Sequence, residues 1–482
     1  MMTAPRLFLL FTACAAINAC SLFFDTDALR QTGATGGNTG NGGGPGGGGA
    51  GAGLPGGAGG NGGFGGAGNA SNVGCDDPDY CGPGSSCEPD GFCSVVSAEA
   101  PEDVLGVAFI RGSSEGQNVG HVAVHSSSGF ASADRLSVWP LGFDQGDGSL
   151  PAIAQIDDPG VGFLATGGVD HVYYFGQVQD CDVDASEDSC INVCSINDTG
   201  VDCSPPRVLT GGARVNGAVI VPNNEPSQDR LYFVEDQDVS NERLQRVNRD
   251  CLETNQQDCP AELAGLYDAP DELNPLGLDL DPTEGSLWWN TWGGAGFDNA
   301  CVYRFDPSAD PFPVECVATA PPINNPNRLA VSGAGVFVGT FDPDGAEGPI
   351  QRISRCTLAS GPHPVTEFSS VTWPADADSD FLYATVLGSP DALQVLNAST
   401  GEIITSLFGV DGLPIVAVDA SNPDYLLFGA DKRVYRWRKP PSPCSTQGPA
   451  QCGNGCVEDG EACDDANDNP NDGCDACACA LP

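Results

Sequence analysis

Apolar residues in this chain come in short runs separated by polar turns. The stretch Leu413 to Arg438, LPIVAVDASNPDYLLFGADKRVYRWR, shows the unit most plainly. Ile415 to Val418, Tyr425 to Phe428 and Val434 to Trp437 are rich in β-branched and aromatic residues. The gaps between them hold the turn formers Ser421, Asn422, Pro423, Asp431 and Lys432. This pattern predicts three strands joined by tight turns. A lone meander of that size cannot bury its faces, so neighbours built alike are required.

The same pattern begins again at Gly160 (GVGFLATGGVDHVYYFGQV), Asn216 (NGAVIVPNNEPSQDRLYFVEDQ), Leu276 (LGLDLDPTEGSLWWNTWG), Arg328 (RLAVSGAGVFVGTFD) and Val371 (VTWPADADSDFLYATVLG), with its faintest copy at Val104. Successive starts fall roughly 40 to 60 residues apart, the period of a propeller blade. The expected fold is all-β: a β-propeller of about seven blades over residues 100–440, closed into a ring that leaves few strand edges. A tandem of β-sandwiches is the rival architecture. In the alternative count of six, Val104 to Ile110 supplies the outer strand of the last blade and zips the ring shut. The body resembles, loosely, the quinoprotein-like and NHL-like propellers; the resemblance rests on period and strand pattern.

Composition supports strands over helices. The 65 glycines and 38 prolines suit turns, while Met (2) and Lys plus Arg (19) are scarce. A formal net charge of −46 repels phosphate backbones and argues against a nucleic-acid partner. The 22 cysteines point to an oxidising compartment.

Residues 1–19 read as a secretory signal, with Arg6 ahead of an apolar core from Leu7 to Ile17. The tetrapeptide Ile17, Asn18, Ala19, Cys20 resembles the lipobox of bacterial lipoproteins. That resemblance implies cleavage before Cys20, lipidation of its thiol, and, with Ser21 following, an outer-membrane address. The lipid is then the chain's membrane partner, and several acyl chains give firm anchoring where one does not. Residues 20–74 form the lipidated cysteine and a tether, with 22 glycines between Gly33 and Gly68 and almost nothing apolar to bury. As a flexible coil it reaches roughly 40 Å.

Residues 75–99 carry Cys75, Cys81, Cys87 and Cys93 at even spacing, a small disulfide knot rather than a zinc site, whose thiolates usually come in close pairs. It looks vaguely like a fragment of an EGF module. Within the body, Cys181 with Cys190, Cys194 with Cys203, Cys251 with Cys259, and Cys301 with Cys316 are near pairs suited to stapling loops.

After Pro440, Pro441 and Pro443, residues 444–482 hold seven cysteines, eight acidic residues and no Lys or Arg. The run CGNGCVEDGEACDDANDNPNDGCDAC, including Cys452, Cys463, Cys474 and Cys477, resembles the cysteine-rich repeat of myxobacterial surface proteins. It departs from that family in Ala466 and in extra cysteines at 444, 456 and 479. Counting these extras with the left-over Cys356 predicts one bridge from Cys356 to the tail, through Cys444. The tail spans 441–482 as a module.

Its acidic run Asp464, Asp465, Asn467, Asp468 and Asp472 offers the hard oxygen ligands that calcium prefers, although it lacks the EF-hand spacing. The bland alternative is a solvated acidic turn. His121 and His125 sit four apart on a strand, which separates the rings by about 13 Å, too far to share a zinc ion. His171 opens the strand VYYF, where a place on the central channel is one option. No nucleophile elbow, P-loop, zincin or dinucleotide motif occurs in its required context.

Channel mouths are where propeller side chains converge on ligands. Asn216, Asn274 and Asn327 each stand just before an inner-strand run and are candidate ligand contacts, with turn formation as the plain alternative. Alternation puts Trp288 and Trp289 on opposite faces, so that one is core and Trp289 is the candidate for glycan or peptide contact. The expected function is therefore a non-enzymatic surface lipoprotein that binds a protein or glycan partner. The alternative is a propeller enzyme, lactonase- or lyase-like, working through a cation in the channel.

Overall fold

The computed structural model describes residues 86–87, 93–94, 103–112, 120–127, 135–140, 154–157, 161–165, 169–176, 189–197, 200–203, 207–210, 214–222, 229–236, 242–254, 262–267, 274–281, 284–292, 301–307, 316–317, 326–340, 350–354, 360–362, 371–378, 380–387, 392–408, 415–422, 425–430, 432–440, 474–475 and 478–479. The signal, the tether, the acidic run of the tail, and Cys20, Cys75, Cys81, Cys181, Cys259, Cys356, Cys444, Cys452, Cys463 and Cys477 lie outside these residues.

Among the described residues the chain builds seven antiparallel sheets of three or more strands, taken in sequence order as sheets 1 to 7. Their innermost strands are Asp103–Arg111, Val161–Ala165, Arg214–Val221, Asn274–Leu280, Pro326–Ser332, Val371–Ala377 and Ile415–Asp419. Each inner strand lies beside that of the next sheet, and Ile415–Asp419 lies beside Asp103–Arg111, which closes the ring. The protein is an all-β propeller. One five-residue helix, Arg249–Glu253, follows the third strand of sheet 3, its start capped by Asn248 Oδ1, which accepts from the Asp250 N–H at 2.9 Å.

The second strand of each sheet explains the near-continuous apolar runs. Tyr173 packs toward sheet 3 while Tyr174 packs toward sheet 1, and Trp288 and Trp289 divide in the same way between sheets 5 and 3. Because side chains alternate and both faces of every sheet are covered, both registers must be apolar. One buried cluster fills each of the seven seams, for example Phe381, Tyr383, Phe428, Tyr435 and Trp437 between sheets 6 and 7.

The ring closes differently from the zipper expected of Val104 to Ile110. That segment lies within the full inner strand of sheet 1, which carries four strands of its own. The outer position on sheet 7 is taken instead by Cys93–Ser94, where Ser94 pairs with Tyr435, followed by Ser86–Cys87 outside it. The small cysteine module thus supplies two strands of sheet 7, with Cys87 opposite Cys93 in register. In the tail, Cys474–Asp475 pairs with Ala478–Cys479.

Two expected staples are present: Cys194 is bonded to Cys203 across neighbouring strands of sheet 2, and Cys301 to Cys316 at the edge of sheet 4. Cys251 is also disulfide-bonded. Cys190 lies opposite Gly176 on a strand of sheet 2.

Candidate functional site

The inner strands of sheets 4, 6 and 7 each end in an aspartate that the sequence reading passed over. Asp279, Asp376 and Asp419 occupy matching places, one strand position before the turn to the second strand or at it, in LGLDLD, TWPADAD and IVAVDAS. A register shift precedes each of them: Leu276/Asp279, Pro374/Asp376 and Ile415/Ala417. Such a bulge turns the strand and re-aims the side chains that follow.

Each carboxylate reaches across its seam to a backbone N–H of the following sheet. Asp279 Oδ2 accepts from Val331 at 2.7 Å, Asp376 Oδ2 from Ala420 at 2.7 Å, and Asp419 Oδ2 from Phe109 at 2.6 Å. The other oxygen of each accepts locally, from Leu280 and Ala377 at 2.8 Å and from Ser421 at 2.8 Å. Both oxygens of all three groups therefore hold backbone donors, which buried N–H groups require.

Burial raises all three acids, with Asp279 pushed up to about 6. Asp376 is raised well above the usual range, first by desolvation and then by the charges of Asp279 and Asp419. Asp376 thus feels the charges of both other carboxyls. Asp281 adds to the rise at Asp279, while Lys439 opposes it at Asp419.

Next to these carboxyls the strand turns of sheets 4, 6 and 7 are fastened by a second acid or amide. Asp281 Oδ1 accepts from Glu284 N–H, Asp378 Oδ1 from Asp380 and Phe381, and Asn422 Oδ1 from Tyr425. The signal legible in the sequence was the repeated Asp-x-Asp, or Asp with Asn three further on, at the end of a first strand.

The predicted contacts fall elsewhere. Asn216, Asn274 and Asn327 stand on the inner strands of sheets 3, 4 and 5, near their starts, opposite the end that carries the aspartates. Trp289 corrects the expectation of an exposed aromatic: it is 0% exposed and stacks on Tyr303 with ring centroids 5.4 Å apart. A second sheet covers the face that was expected to meet solvent. His171 lies on the second strand of sheet 2, where its Nδ1 is 2.8 Å from Val169 O and 3.7 Å from Glu253 Oε1. His121 and His125 are both buried. Among the described residues no group of three His, Cys, Asp or Glu side chains is arranged to hold a metal ion.

No family model matches the chain, and no curated protein matches it. Among solved structures it is similar to "YCF48 bound to D1 peptide", at 11% identity and a TM-score of 0.43, over 71% of this chain and 96% of that one.

Proposed function

We propose that the protein is a non-enzymatic binding module, a seven-bladed propeller held at the cell surface by a lipid on Cys20. Its partner is a protein or a glycan met at the propeller. The observation that carries this reading is the structural use of Asp279, Asp376 and Asp419: the most chemically suggestive acids among the described residues each join two sheets with one oxygen and accept a neighbouring backbone N–H with the other. These backbone bonds account for the burial of the three acids without a substrate or a metal. The lipobox-like Ile17 to Cys20 and the glycine tether support the anchored head, and the acidic tail is the place for calcium in this reading.

The test is metal analysis of the purified protein, run beside a binding screen against envelope glycans and peptides. Saturable binding of one class, unaffected by stripping divalent ions from the propeller, is the expected result. A stoichiometric channel ion whose removal abolishes hydrolysis of a lactone or cleavage of a polysaccharide overturns it. Labelling of Cys20 with a palmitate analogue tests the anchor separately.

A further inference from the structure

A strand edge with unpaired backbone groups is a template for another strand, and proteins blunt such edges with short strands, charges, proline or a covering element. Among the described residues, six of the seven outer edges are blunted in one of these ways. The outer strands of sheet 1 (Ala154–Asp157), sheet 2 (Gly200–Cys203 and Arg207–Thr210), sheet 4 (Val302–Phe305) and sheet 5 (Ser360–Pro362) run for only three or four residues. The outer strand of sheet 3, Glu262–Tyr267, begins with an acid that pairs with Arg246 at 3.0 Å. Cys93–Ser94 covers the edge of sheet 7.

Sheet 6 is the exception. Its outer strand Ile403–Phe408, IITSLF, is six residues long, holds no charge and no proline, and among the described residues pairs only with Ala392–Asn397. Leu407 is packed into the seam with sheet 7. Ile403 and Ile404 are 44% and 38% exposed, two of the three large apolar side chains that stand open to solvent among the described residues. Val395 lies opposite Thr405 and Leu396 opposite Ile403, which makes Ile404 the extra residue of a bulge and leaves Thr405 to Phe408 in regular register.

We propose that this edge takes up an extended segment of a basic partner protein as a fifth strand of sheet 6, with apolar side chains of that segment against Ile403 and Ile404. The proposal rests on the reading of the protein as a binding module and names the chemistry of its partner. Charge decides the occupant. A net charge of −46 opposes a second copy of the chain, which would bring the same charge, and draws in a cationic one. The strand itself is uncharged and the exposed Glu402 stands at its start, so the segment that pairs is uncharged and its Lys or Arg residues flank it.

The test uses the full-length protein and a synthetic peptide of alternating valine and threonine with lysines at both ends. Calorimetry is expected to show saturable binding that weakens as salt is raised. Amide exchange is expected to slow by about ten-fold or more within residues 403–408 and to stay unchanged in Glu262–Tyr267, the outer strand of sheet 3. The same peptide methylated on every second backbone nitrogen keeps its charges but loses hydrogen-bond donors, and should bind at least about ten-fold more weakly. Ile403→Ser combined with Ile404→Ser changes only solvent-facing side chains and should weaken binding by about ten-fold with the melting temperature unchanged. Equal binding of the methylated peptide, undiminished binding by the serine variant, slowing spread over both outer strands, or self-association of the protein through residues 403–408 overturns the proposal. Failure of the lysine-flanked peptide to bind also overturns it. If the envelope screen still finds a ligand in that case, the binding-module reading stands without this edge; if it finds none, both fall.

Discussion

The N–H of Phe109 donates to Asp419 Oδ2 at 2.6 Å, tying the inner strand of the first sheet to that of the last. At every other seam the chain passes from one sheet directly to the inner strand of the next after completing that sheet, whereas here it enters sheet 1 from the outer strand Cys93–Ser94 of sheet 7, and the three C-terminal strands of sheet 7 meet sheet 1 through non-covalent contacts. Asp419→Ala removes the acceptor for Phe109 N–H and for Ser421 N–H together. A buried donor left without a partner costs about 1–3 kcal/mol, so urea denaturation at pH 5 should show a loss of about 3 kcal/mol. A loss below about 0.5 kcal/mol would mean that water or another group replaces the carboxylate there.

The same seam is closed by packing as well as by hydrogen bonding. Gly429 lies against Val104 and Val107, and a Cβ at that position would run into Val104 Cγ1. These valines belong to the cluster that joins sheets 1 and 7, with Leu427 and Val434. Gly429→Ala should cost about 1–3 kcal/mol by overpacking. Val104→Ala opens space at the contact, so in the double variant the combined loss should be smaller than the sum of the single losses. Strict additivity would show that the clash is relieved in some other direction.

The seam between sheets 6 and 7 has a cation at its end. Lys439 bonds Asp378 Oδ2 at 2.7 Å and Ala420 O at 2.6 Å, and its ammonium lies 5.7 Å from the centre of the Tyr383 ring. Its side chain is only 6% exposed. Lys439→Met removes the counter-charge of Asp378, which keeps the Tyr383 hydroxyl as a donor at 2.8 Å, and uncaps the carbonyl, with an expected cost of about 3 kcal/mol at neutral pH. Adding Asp378→Asn to Lys439→Met should recover part of that cost; no recovery would assign the loss to packing rather than to the unpaired charge.

The repeat was legible because every second strand is covered on both faces. Runs such as VYYF, LYFV and FLYATV carry no polar alternation, and their spacing marked all seven inner strands to within two residues of the observed starts. Val104, the faintest copy, leads a complete sheet, because Gly106 and Arg111 dilute its apolar run without breaking its pairing. The three acids were harder to see. Asp279, Asp376 and Asp419 look like ordinary turn residues at a strand end, and only the ring brings each to a backbone donor 44 or more positions away. Trp289 misled for a related reason: alternation gives the face of a side chain, but not whether another sheet lies over that face.

The outer edge of sheet 7 yields the last prediction. Its third strand, Arg433–Arg438, pairs on the inside with Tyr425–Ala430 and on the outside with Cys93–Ser94, through Ser94 and Tyr435. Without the cysteine module, that strand would present an unpaired row of backbone groups, the template on which a second chain can add. A protein beginning at residue 100 should therefore melt at a lower temperature than one beginning at residue 75. It should also associate in a concentration-dependent way, read by light scattering, whereas the longer protein should not. Equal melting temperatures with no association would reduce the module to a passive spacer between tether and ring, and would leave sheet 7 stable on its three C-terminal strands.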